Sequence, residues 1–71
     1  MKIPRDLSGA DIVKALQRLG FTVSRQTGSH AQLSKNDLRV TVPMHQSVAI
    51  GTVKSILRQA DVPLEDFLDA L

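Results

Sequence analysis

The sequence predicts an α+β fold with the element order α-β-β-β-α, a three-stranded antiparallel sheet and a short additional helix at the C-terminus. Two observations predict this fold. Apolar residues recur every three or four positions near both ends of the chain and at every second position in the middle. The turns between the alternating segments are short, and short turns join antiparallel strands. The 71 residues contain no repeat or linker and predict a single domain over residues 1–71.

The first helix is predicted between Ser8 and Gly20. Ser8 is a favoured N-cap residue, and Asp11 stands at the position of the acidic partner in a capping box. Gly20 stands at the position after the helix, where the backbone commonly adopts the left-handed conformation and glycine is preferred. The apolar stripe between these signals consists of Ile12, Ala15, Leu16 and Leu19.

Three strands are predicted from the segments FTVSRQ, SHAQLS and LRVTV, in which apolar and polar residues alternate. In the second strand, Ala31 and Leu33 share one face. They are expected to enter the core, so His30 and Gln32 are expected to face solvent. A register shift of one residue would bury His30 and expose Leu33, which strongly opposes it.

The same alternation predicts where two arginines of the sheet point. Arg25 has the parity of Phe21 and Val23, so it is expected on the helix side of the sheet. Arg39 has the opposite parity to its apolar neighbours and is expected on the solvent side with His30. Only Arg39 is therefore expected beside the histidine.

Two helices are predicted after the sheet. The segment TVKSILRQA carries an apolar stripe on one face, with Lys54 and Arg58 on the other. Pro63 suits the first turn of a short acidic helix. The apolar residues of the two helices are Val53, Ile56, Leu57 and Ala60, and then Leu64, Phe67, Leu68 and Leu71.

The charge distribution predicts an anionic partner. The first 59 residues carry nine basic and three acidic side chains (+6), whereas the last twelve carry four acidic and no basic ones (−4). A basic body of this kind suits nucleic acid.

Composition argues against disulfides, metal sites and membrane spans. There is no cysteine, so a disulfide or a thiolate metal site is excluded. The two histidines are too few for a closed zinc site without carboxylates, so neither metal nor another cofactor is predicted. The sequence has no apolar run of membrane-spanning length and no secretory leader pattern, so we expect a cytoplasmic protein.

Three motifs carry a resemblance to a known family. They are GFTVSRQTGSH, VTVPMH and GTVKSILRQA, in this order. Over about Ile3 to Leu71 the chain resembles the HicA toxins of bacterial toxin–antitoxin systems, and its element order is similar to the double-stranded RNA-binding fold. The resemblance implies the toxin of a type II system, a metal-independent endoribonuclease (mRNA interferase) that cleaves mRNA and is silenced by a HicB-type antitoxin.

The resemblance also implies a catalytic histidine. The family's Gly-Ser-His turn corresponds to Gly28, Ser29 and His30, and its Val-Pro-x-His segment ends at His45. Histidine suits RNA cleavage because a neutral imidazole accepts a proton near neutral pH. We expect Gly28 to adopt a positive φ and admit a phosphate, and Ser29 to offer its N–H.

Further phosphate contacts are expected from Arg39, Lys54 and Arg58. For Lys54 and Arg58, an ordinary solvated helix face is an equally good interpretation. His45 is a possible accessory group for the reaction, and a loop residue without a catalytic role is the simpler interpretation.

Two other functions stay open. One is a non-catalytic module that binds double-stranded RNA, although such modules usually carry more lysines at the second helix. The other is a protein-interaction domain that uses the acidic C-terminal helix. Composition and periodicity reach only to a small basic α/β domain with an exposed histidine.

Overall fold

The computed structural model describes residues 3–71 and confirms the predicted α+β fold. The strands form one antiparallel sheet in the order β1-β2-β3, so consecutive strands are neighbours. The elements are α1 (Gly9–Arg18), β1 (Thr22–Thr27), β2 (His30–Lys35), β3 (Leu38–Pro43), α2 (Ile50–Ala60) and α3 (Leu64–Ala70).

Helix α1 begins and ends with the predicted signals. The hydroxyl of Ser8 accepts the Asp11 N–H at 3.0 Å, and the Asp11 carboxylate accepts the Ser8 N–H at 3.2 Å. Gly20 follows the helix with a φ of +102°. The N–H of Phe21 then donates to the carbonyl of Leu16 at 2.9 Å, which completes a Schellman motif.

The core lies between the helices and one face of the sheet. Ala31 and Leu33 are buried there, as the alternation predicted, and Phe67 of α3 is fully buried. The prediction that Leu71 belongs to the last helix and its apolar face was wrong. Leu71 lies beyond the end of α3 and is 40% exposed, while Ala70 takes the buried position in the last turn.

A β-bulge in β1 overturns the predicted direction of Arg25. Val23 pairs with Leu33, but Arg25 pairs with Gln32, so Ser24 is the extra residue between them. Directly paired residues point to the same face of a sheet. Because Gln32 faces solvent, Arg25 does so as well. The prediction assumed uninterrupted alternation, which one inserted residue reverses.

A close backbone contact joins α1 to the end of β3. A Cβ at Gly9 would lie 2.3 Å from the carbonyl oxygen of Pro43 and 2.7 Å from the Cα of Met44. The Gly9 N–H donates to the carbonyl of His45 at 2.9 Å. Only glycine admits this approach, which holds the segment after β3 in place.

Within residues 3–71, none of the three helices combines the length and the apolar character that crossing a membrane requires.

Candidate functional site

The candidate site lies on the open sheet face, which we define as the side of the sheet opposite the helices. Register places three cross-strand rows of side chains there. The helix layer covers the other face, so this one stays accessible. The rows are Thr27, His30 and Pro43, then Arg25, Gln32 and Thr41, then Thr22, Ser34 and Arg39.

His30 is the first residue of β2 and stands at one end of the open sheet face. It pairs with Thr27 on one side and with Pro43 on the other, and its side chain is exposed. The Met44 N–H donates to the carbonyl of Ser29 at 2.7 Å, so pairing with β3 continues one residue into the turn. The strand pairing thus fixes the backbone that carries His30. The exposure of its side chain agrees with the prediction from the alternation in β2.

A hydrogen bond joins the imidazole to the preceding residue. The Oγ of Ser29 lies 3.0 Å from Nδ1 of His30. If Nδ1 carries the proton and donates to Ser29, then Nε2 is left as a free acceptor. The opposite arrangement makes Nε2 a donor. The direction of this one bond therefore decides whether the exposed nitrogen acts as a base.

Gly28 and Ser29 form the two-residue turn before His30. The predicted positive φ at Gly28 was wrong, because Gly20 is the only glycine of residues 3–71 in the left-handed region. A Cβ at Gly28 would meet no atom within 4 Å, so the fold itself does not require glycine here. Neither amide N–H of the turn donates to a backbone carbonyl within the described chain. The turn thus combines open space with two free donors.

The two arginines of the sheet lie beside the same shallow groove, which has a volume of about 490 Å³. Arg39 faces solvent as predicted, and Arg25 joins it because of the bulge. The groove contains no Asp or Glu among its lining residues, which are Ser24, Arg25, Gln32, Leu33, Ser34, Asn36, Arg39, Val40, Thr41 and Gln59. Sequence alternation missed Arg25, and the only available signal was the polar stretch that follows Val23.

The structure does not bring Lys54 and Arg58 into this groove. Both are exposed on α2, on the side away from its buried stripe. Gln59 is the α2 residue that lines the groove, and it lies on the other flank of the helix. Arg58 instead borders a depression at the junction of α2 and α3, beside Asp61.

His45 lies two residues after Pro43, the last residue of β3, in an irregular segment that backbone hydrogen bonds hold in place. Its carbonyl accepts the Gly9 N–H, and its side chain is exposed. Pro43, two residues earlier, pairs directly with His30. The backbone of His45 is therefore close to the turn that carries His30, although no hydrogen bond joins the two side chains among the described residues.

The described residues contain no cluster of three or more histidine, aspartate or glutamate side chains arranged to hold a metal ion.

A comparison with protein families finds a match for this chain. A family model described as "HicA toxin of bacterial toxin-antitoxin" matches residues 9–62. These residues include α1, the whole sheet and α2, and thus the turn with His30 and the open sheet face. No curated protein matches the chain in a sequence comparison.

Proposed function

Because this chain belongs to the HicA toxin family of bacterial toxin–antitoxin systems, we propose that it is a toxin that cleaves mRNA without a metal ion, with His30 as the general base. Membership of the family supports the toxin role and an antitoxin partner. We propose further that the partner is a HicB-type antitoxin and that the protein acts in the cytoplasm, where mRNA is translated.

The observation that carries the proposal is the setting of His30. Its imidazole is exposed at the end of an open sheet face, directly after a turn with two free N–H groups. Its Nδ1 lies 3.0 Å from Ser29 Oγ, so one ring nitrogen has a partner and the other is free for substrate. RNA cleavage requires a general base, hydrogen-bond donors for the phosphate oxygens and a surface that a polymer can reach.

The reaction that these groups support begins at the 2′-hydroxyl of RNA. Nε2 of His30 accepts the hydroxyl proton, and the 2′-oxygen forms a bond to the adjacent phosphorus. The bond from phosphorus to the 5′-oxygen breaks, and that oxygen leaves with a proton. The products are a 2′,3′-cyclic phosphate and a 5′-hydroxyl end, and no oxidant, metal or cofactor enters the balance.

The other groups near the turn are proposed to bind the phosphate and to protonate the leaving 5′-oxygen. The amides of Gly28 and Ser29 are suited to hydrogen-bond the phosphate oxygens, on which negative charge grows during attack. The open space at Gly28 leaves room for that phosphate. His45 is our candidate for the proton donor to the 5′-oxygen, because its backbone lies close to the same turn.

The antitoxin is proposed to cover His30 and the open sheet face. An occupied face cannot admit RNA, so covering it is the most direct way to silence the toxin. The face has a basic character through Arg25 and Arg39, and an acidic surface on the antitoxin would complement it.

A cleavage assay in EDTA tests the proposal. Wild-type protein, His30→Ala and the control Gln17→Ala, an exposed α1 position, are incubated with a long mRNA and the fragments are sized. We expect cleavage by the wild type and the control. The His30→Ala rate should fall by about 10²–10⁴-fold, which is the usual contribution of a general base.

Two outcomes would contradict the proposal. Equal cleavage by wild type and His30→Ala would remove His30 from the reaction. Intact RNA with every protein, together with a retained gel shift on duplex RNA, would favour the non-catalytic RNA-binding module instead. Expression of each variant in cells without antitoxin gives a parallel readout, since only active toxin should arrest growth.

A further inference from the structure

We propose that the open sheet face, through Arg25 and Arg39, binds the backbone of single-stranded RNA on its way to His30. The face on which Lys54 and Arg58 lie would then be secondary for RNA. This inference rests on the proposed function, since it names the surface that holds the substrate of that site.

The bulge at Ser24 is what makes two arginines available on this face. Without the extra residue, Arg25 would point toward the helix layer with Val23. Ser24 donates its hydroxyl proton to the carbonyl of Gln32 at 3.2 Å, across the two strands. This bond satisfies a polar group at the irregularity and ties the bulge to β2. A device that turns one cation outward is unneeded for the core, which supports a role in binding.

The spacing of the cations suits a polymer rather than a single small anion. Arg25 pairs with Gln32, which is two residues from His30 along β2, so the Cα atoms of Arg25 and His30 lie about 7–8 Å apart. Arg39 pairs with Ser34, four residues along β2 from His30, which gives a separation of roughly 14 Å. A chain with repeated negative charges can contact both arginines while it reaches His30.

Charge also favours this face over the helix layer. The groove that contains Arg25 and Arg39 has no carboxylate among its lining residues. Arg58 shares its depression with Asp61, whose negative charge weakens the attraction for a phosphate. Neutral donors such as Gln32, Ser34 and Thr41 lie between the two sheet arginines and suit phosphate or ribose oxygens.

The sheet groove lacks the aromatic side chains that usually stack RNA bases. Neither phenylalanine is available, because Phe21 and Phe67 are buried. Arginine binds phosphate bidentately and also stacks on bases through its planar guanidinium. We therefore infer binding that follows the RNA backbone with little choice of sequence.

The test measures how RNA affinity depends on salt. The His30→Ala protein is titrated with a fluorescent single-stranded RNA at several salt concentrations, so that cleavage cannot interfere. Each phosphate contact on a single strand contributes about 0.7 to the slope of log K against log[salt]. Adding Arg25→Gln and Arg39→Gln should therefore lower the magnitude of the slope by about 1.4.

The matched control adds Lys54→Gln and Arg58→Gln to the same His30→Ala protein. Both double changes remove two positive charges from exposed positions, so they change the net charge equally. We expect the control to change the slope by less than half as much. A larger loss for the control would overturn the inference and place the RNA on the helix layer. Equal losses would also overturn it, because the RNA would then prefer neither face.

This result is independent of the cleavage assay. If RNA is cut but the sheet arginines leave the slope unchanged, the proposed function stands and the inference fails. If no RNA is cut but the sheet arginines carry the slope, the binding face stands and the nuclease role fails. If the His30→Ala protein and the wild type bind no RNA, both are overturned. Thermal melts of each variant check that the fold is retained.

Discussion

The contact between α1 and β3 makes a sharp prediction for Gly9→Ala. The new Cβ would meet the Pro43 carbonyl at 2.3 Å and the Met44 Cα at 2.7 Å, and both atoms belong to the backbone. No rotamer change relieves such a contact, so the two segments must move apart by several tenths of an ångström. The movement also strains the hydrogen bond from the Gly9 N–H to the His45 carbonyl.

Two opposing effects set the size of the change. Overpacking typically costs about 1–3 kcal/mol of unfolding free energy. The lower chain entropy of alanine in the unfolded state returns about 0.4–1 kcal/mol. We therefore expect Gly9→Ala to lose about 1–2 kcal/mol. For a domain of this size, each kcal/mol shifts Tm by about 4–8 °C, so Tm should fall by roughly 5–15 °C.

Gly51→Ala is the matched control, because it is the same change in the first turn of another helix. A Cβ at Gly51 would meet nothing within 4 Å, so only the entropic gain remains. Thermal unfolding followed by circular dichroism should thus give a Tm rise of about 2–8 °C for Gly51→Ala. If Gly9→Ala is as stable as Gly51→Ala, the proposed packing of α1 on the end of β3 is refuted.

Two further predictions concern the site and the core. Ser29→Ala should lower kcat by about 3–10-fold with little change in KM, because one hydrogen bond of about 1 kcal/mol orients His30. Ser29→Thr keeps the hydroxyl and should restore most of the lost kcat. An effect on KM alone would instead assign Ser29 to phosphate binding. Phe67→Ala should cost about 3–5 kcal/mol in urea unfolding, since the ring is fully buried, and a loss below 1 kcal/mol would mean that α3 is not part of the core.

Local sequence signals predicted the elements because their causes are local. The capping box at Ser8, the positive φ at Gly20 and the buried stripe of α2 depend on residues within one or two turns of one another. The alternation of β2 likewise predicted that His30 faces solvent, since successive side chains of a strand point to opposite sides.

The prediction of side-chain direction failed in β1, where the direction depends on pairing with a partner strand. The bulge at Ser24 appears only when β1 pairs with β2, and it moves Arg25 from the predicted helix side to the open sheet face. Gly28 was wrong for a related reason: its φ is set by the geometry that the paired strands allow, and not by the presence of glycine. The Gly-Ser turn remains the predicted position of the candidate base.

The amino-acid sequence was sufficient for the element order, the core stripes and the exposure of His30, because hydrophobic periodicity and capping are properties of neighbouring residues. It was insufficient for the surroundings of that histidine. Arg25 reaches the open sheet face, Lys54 and Arg58 stay outside its groove, and Gly9 holds the segment of His45 against α1. Each of these facts depends on strand register or on contact between distant segments, which exist only once the chain has packed.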